Sequence, residues 1–133
     1  MIPENLRYHQ EHEWVRVEGK QVVGAQAVLG ISHHAQEALG DIVFFQLPQV
    51  GATVKAGQEI GEVESTKATS SLYTPVSGTV SRVNGTLSER PELANQDPYG
   101  EGWVAVIELA DPSEINGLMD AAAYAAFLEA EAK

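Results

Sequence analysis

Apolar residues cluster in short runs along this chain rather than in long helical stripes. Three runs near the start, WVRV (14–17), VVGAQAVLGI (22–31) and DIVFFQL (41–47), are rich in β-branched and aromatic residues and predict strands. Between the second and third lies SHHAQEALG, where Ser32 can cap a helix and Ala35, Ala38 and Leu39 share one face. Gly40 can take the left-handed position that ends it, so one short helix is expected against the sheet.

The middle of the chain is punctuated at short intervals by Gly51, Gly57, Gly61, Pro75, Gly78 and the pair Asn84-Gly85, the last read as a hairpin turn. Strands between such turns are short, and Val63, Leu72, Val76, Val80 and Val83 supply their apolar anchors. Short antiparallel strands bury one side each only by packing face to face. The expected class is therefore mainly β, a sandwich or flattened barrel.

Further on, Pro91 suits the first turn of a brief helix over Leu93 and Ala94, and WVAVIEL (103–109) reads as a last strand. Asp111-Pro112-Ser113-Glu114 combines a cap, a proline at the first helical position and a glutamate at the third, which starts a C-terminal helical region over 112–131. Within it Asp120 caps a helix whose Tyr124, Phe127 and Leu128 form one stripe, expected to dock on the sheet. No repeat or linker divides the chain, so residues 1–133 are expected to form one domain.

Charge removes several function classes. Nineteen acidic residues against eight basic ones give a net charge of -11, a field that repels phosphate backbones and argues against nucleic acid. The absence of cysteine excludes disulfides, thiolate nucleophiles and cysteine-ligated metals. No apolar run approaches a membrane span, and the first residues resemble neither a signal nor a transit peptide. The expectation is a cytoplasmic protein without membrane association, or a mitochondrial-matrix one only if a transit peptide has been removed.

Candidate chemistry centres on Lys67, one of four lysines. It sits in ESTKATS, a tract of small polar residues between EIGEVE and LYTPV. Two strands joined by such a tract project a hairpin tip, at 65–69, that holds the amine in water. From the residues alone, Lys67 is either an ordinary solvated lysine or a modified amine. His9 and His12 are three apart and His33 and His34 adjacent, yet neither pair has a recognisable third ligand or an HExxH motif, so no metal is expected. No hydrolase triad or phosphate loop is present, and an enzyme acting alone is not indicated.

GEVESTKATSSLYTPVSGTV resembles the lipoyl-attachment segment of the glycine cleavage system H protein family. HEWVRVEG, AQEALGDIVFFQLPQVG and ELANQDPYGEGW resemble that family's flanking segments, in the same order. Biotinyl domains share the hairpin but typically place methionines beside the lysine, where Thr66 and Ala68 stand here. The resemblance implies a non-catalytic carrier of lipoyl/biotinyl fold with lipoic acid in amide linkage to Lys67, and a monomer is expected of a carrier that must expose one hairpin to several partners. It also implies four partners: a pyridoxal-phosphate-dependent glycine decarboxylase, a tetrahydrofolate-dependent aminomethyltransferase, dihydrolipoyl dehydrogenase, and a lipoate ligase or lipoyl/octanoyl transferase.

The same resemblance gives Glu64 and Gly78 a part in recognition by the lipoylating enzyme, with Gly51 as a further glycine of the pattern. Glu64 reads equally well as a solvated carboxylate, and glycine serves turns on structural grounds alone. Glu13, His34 and Ser71 match a cleft that shelters the loaded arm. Two departures weaken that cleft: Ser71 stands where many members carry an acid, and Ser32-His33 where Thr-Asp is usual. A lipoyl donor for 2-oxo acid dehydrogenases and an unmodified binding module are the competing readings.

Overall fold

Alternating side chains along short strands build two antiparallel sheets in the computed structural model, which describes residues 2–18 and 25–132. The larger sheet runs β1 (Arg7–Tyr8), β2 (Glu13–Glu18), β3 (Gln26–Ile31), β9 (Ala105–Leu109), β8 (Gly78–Val83) and β5 (Thr53–Val54) in spatial order. The smaller is β4 (Ile42–Gln46), β6 (Glu59–Ser65) and β7 (Thr69–Tyr73). Val15, Ala27, Leu29, Ile31, Val80 and Ile107 of the first sheet share a core with Ile42, Phe45, Val63 and Leu72 of the second. This is the expected sandwich.

The larger sheet is buried on its other face as well. Tyr8, Trp14, Val28 and Val106 form a second apolar cluster with Tyr124 of the C-terminal helix α4 (Ala121–Ala132). Tyr124 stacks flat on Tyr8, with ring centroids 4.4 Å apart, and burying such a side chain is worth about 1.5–3 kcal/mol. The aromatic stripe thus docks as expected. Double-sided burial also explains why 26–31 reads as a continuous apolar run instead of a clean alternation. Residues 22–24 of that expected strand lie outside the described residues.

Helix α1 (His33–Leu39) follows β3, and the Ser32 hydroxyl accepts from the Ala35 N–H at 3.1 Å. Of its expected face, Ala35 and Leu39 pack on the core while Ala38 is exposed, and Gln36 is buried instead. Gln36 is drawn inward by a polar partner, Asn95, rather than by apolar contact. Gly40 has positive φ (80°) but extended ψ (−149°), so it ends the helix outside the left-handed helical basin.

Asn84-Gly85 makes no hairpin turn. β8 runs instead into α2 (Thr86–Glu89) and α3 (Leu93–Gln96) before the chain returns as β9. Gly85 is right-handed (φ −60°, ψ −21°), whereas the type I′ hairpin turn that Asn-Gly favours needs positive φ at both central positions. The Asn84 amide donates to the Glu101 and Trp103 carbonyls at 2.8 Å each, fastening the ends of the excursion together.

β1 escaped the sequence reading because two residues are too few for a pattern; Tyr8 is held by reciprocal backbone bonds with Met119. The 3-10 turn Pro112–Gly117 forms with Asp111 accepting from the Ser113 N–H. Among the described residues no helix is long and apolar enough to cross a membrane.

Candidate functional site

The β6–β7 hairpin carries Lys67 at its apex. Glu64 pairs with Thr69, and the Ser65 N–H donates to the Ala68 carbonyl at 2.8 Å, which places Thr66 and Lys67 outside the strand ladder at the tip. The Ser65 hydroxyl accepts from the backbone N–H of Lys67 (3.3 Å) and Ala68 (3.1 Å). A buried serine thereby satisfies donors that a bare turn leaves to water. Thr66, Lys67, Ala68 and Glu64 are all exposed.

The tip is also braced from the side. The Thr66 N–H donates to the Asp41 carbonyl at 3.0 Å, in the link between α1 and β4. Asn95 of α3 holds that link: its Oδ1 accepts from the Ile42 N–H (2.9 Å), while Nδ2 donates to the Gly40 carbonyl (2.8 Å) and to Gln36 Oε1 (2.9 Å). A Cβ on Gly40 would lie 3.5 Å from Lys67 Cε, so the lysine stem runs past a backbone kept bare of side chain.

The two glycines of the pattern sit in different settings. Gly51 is exposed with φ +92°, and nothing lies within 4 Å of a Cβ placed on it. Its conformation, not its surroundings, favours glycine. Gly78 is not in a turn: it begins β8, paired with Val54 and Leu109, and a Cβ there would run into the Glu108 carbonyl oxygen. Close approach of backbones is what requires glycine at that position.

Glu13 opens β2, Ser71 lies in β7 and His34 in the first turn of α1. Glu13 is 2% exposed, and its Oε2 accepts from the Tyr73 N–H of β7 at 3.0 Å, two residues beyond half-buried Ser71. Oε1 has no hydrogen-bond partner. His9 Nδ1 is 3.4 Å away but already accepts from the Glu11 N–H. Burial pushes the Glu13 carboxyl above the usual carboxylate range, with the His9 and Tyr73 contacts opposing.

His34 is exposed in the first turn of α1, with its ring 4.7 Å from that of His12. Six residues of helix, about 9 Å, separate it from Gly40 beside Lys67.

Residues 6–131 match the family model described as glycine cleavage H-protein. The chain belongs to the glycine cleavage H-protein family. It is 52% identical over 128 residues to the glycine cleavage system H protein of Myxococcus xanthus, covering 96% of this chain and 95% of that protein. It is 53% identical over 124 residues to the one from Bacillus cytotoxicus, covering 93% and 94%. The crystal structure of a glycine cleavage system H protein from Mycobacterium marinum superposes with a TM-score of 0.87 at 40% identity, covering 96% of this chain and 99% of that one.

Family membership makes this a non-catalytic carrier component of the glycine cleavage system, one that bears lipoic acid on a lysine. The hairpin fits such a group. Lys67 is exposed, its neighbours Thr66 and Ala68 are small, and Gly40 puts no side chain against its stem. Ser65 and Asn95 are the supporting residues that sequence reading passed over. Ser65 is detectable as a turn-forming hydroxyl two residues before the lysine; Asn95, 28 positions beyond Lys67, carries no local signal.

Proposed function

We propose that Lys67 is the lipoylated residue, and that this carrier takes the aminomethyl group of glycine from the pyridoxal-phosphate-dependent decarboxylase to the tetrahydrofolate-dependent aminomethyltransferase. Dihydrolipoyl dehydrogenase then reoxidises it, and a lipoate ligase or lipoyl/octanoyl transferase installs the group. The observation that carries the reading is the apex position of Lys67 on a hairpin braced by Ser65 and Asp41. When bound, the lipoyl group supplies a disulfide/dithiol pair that this cysteine-free chain lacks.

The chain's own residues supply presentation and shelter. Ser65 fixes the apex backbone, so a modifying enzyme meets a preformed turn rather than ordering a loose one. Glu64, exposed one residue before Ser65, offers a carboxylate beside the tip for recognition. An arm running past Gly40 can fold back along α1 toward His34, with Ser71 and Glu13 completing the proposed shelter. Glu13 is 2% exposed, so its contact with a loaded amine requires the residues covering it to move. The unpartnered Oε1 supports this role, because it leaves a buried acceptor ready for an ammonium donor.

The test is fragmentation mass spectrometry of the host-derived protein, coupled to exchange of labelled bicarbonate into glycine with the decarboxylase. The expected result is a lipoyl increment on Lys67 alone and label exchange that vanishes in Lys67→Arg. An unmodified Lys67 with full exchange overturns the assignment. Competent lipoyl transfer without exchange points instead to the donor reading.

A further inference from the structure

The fold gathers a cluster of donor groups that the chain keeps far apart in sequence. His12 lies in the loop before β2, His34 in the first turn of α1, and Glu131 in the last turn of α4. One ligand atom from each lies within 4.8 Å of the other two. We propose that His12, His34 and Glu131 bind a divalent ion of the zinc class, pinning the C-terminal helix to the body of the carrier.

The chemistry of the set favours that ion. Two imidazoles and one carboxylate are borderline ligands that suit Zn²⁺ and its first-row neighbours, not Mg²⁺ or Ca²⁺. Three protein ligands leave one tetrahedral position for water. His12 Nε2 already stands 3.1 Å from Glu131 Oε1. Ligands about 2.0–2.1 Å from a tetrahedral zinc are separated by about 3.4 Å, so this pair needs almost no movement. His34 is exposed, and binding requires its ring to turn toward the pair from within 4.8 Å.

The surroundings are built as a metal site's outer shell is built. His12 Nδ1 is 2.8 Å from the Tyr124 hydroxyl, which is itself 2.8 Å from Ser32 Oγ. An imidazole held through one nitrogen by a buried hydroxyl network presents the other in a fixed direction. The Tyr124 ring beneath is stacked on Tyr8, so the support is rigid. The His12–Glu131 pair and the contact between the His12 and His34 rings bring all three donor groups to one place.

Zinc binding to tag-free, full-length, chelator-stripped protein, unmodified at Lys67, tests this by competition against a chromophoric chelator. Because no lipoyl group is needed, the outcome is independent of the proposed arm chemistry. The expected result is one Zn²⁺ per chain, a rise in Tm on adding it, and visible d–d bands when Co²⁺ replaces it. His34→Ala and Glu131→Gln should each weaken binding at least tenfold, about what loss of even an outer-shell partner does, with unchanged metal-free circular dichroism. His33→Ala, which alters the adjacent histidine, should not change it. Absence of stoichiometric binding, or equal affinity in wild type, His34→Ala and Glu131→Gln, overturns the proposal. So does an equal loss in His33→Ala.

Discussion

Replacing Asn95 with alanine separates the fold's role in presenting Lys67 from the lysine itself. The side chain makes three hydrogen bonds, to the Ile42 N–H, the Gly40 carbonyl and Gln36 Oε1. Ile42 is 3% exposed and Gln36 8%, so solvent reaches neither group freely. A buried N–H left without an acceptor costs about 1–3 kcal/mol, and the two donated bonds are worth about 1 kcal/mol each, partly recovered by water entering the space. The expected destabilisation is about 3 kcal/mol, or roughly 10 °C in Tm for a chain of this size.

Urea unfolding measures the total, and amide hydrogen exchange locates it. The Ile42 and Thr66 amides should both exchange at least tenfold faster, because Thr66 donates to Asp41 in the very link that Asn95 holds. Enzymatic lipoylation should slow even at temperatures where the variant is fully folded. A loss below about 1 kcal/mol, or an unchanged exchange rate at Thr66, would refute the brace.

Ser65→Ala removes the acceptor of the Lys67 and Ala68 amides; at an exposed tip water replaces much of it, so stability should fall by about 1 kcal/mol while lipoylation loses rate measurably against that small change. Gly78→Ala and Gly51→Ala should differ sharply in thermal melts. The first drives a methyl into the Glu108 carbonyl and should cost about 3 kcal/mol or more, whereas the second meets no atom and costs about 1–2 kcal/mol of backbone strain. Glu13→Gln keeps an acceptor for the Tyr73 N–H and removes a buried charge, but sets an amide donor where Oε1 has no partner; the two effects oppose, so urea unfolding at pH 7 should shift by less than about 1 kcal/mol. The same variant should protect an aminomethyl-loaded arm less well against hydrolysis, and equal protection would remove Glu13 from the shelter.

The sequence by itself determined the local elements. Ser32, Asp111 and Asp120 announce helix starts through hydroxyl or carboxylate acceptors that need only neighbouring backbone, and each caps as read. The tract ESTKATS contains its own turn, because Ser65 satisfies amides two and three residues away. Such interactions close within a few residues, so the order of residues specifies them.

Only the tertiary structure decided the rest. Asn84-Gly85 carries a strong hairpin signal, yet distant carbonyls at Glu101 and Trp103 claim the asparagine and send the chain into helices. Gln36 turns inward because Asn95 arrives from α3. In β4 a register shift between Ile42 and Phe44 leaves Val43 and Phe44 half exposed, which no apolar pattern foretells. His12, His34 and Glu131 looked like unrelated residues along the chain, and the sequence offered no third ligand to either histidine pair. Their meeting depends on α4 docking through Tyr124 onto Tyr8. Contacts of this kind are set by the packing of whole elements, whose energy is spread over many side chains and leaves no short-range mark in the sequence.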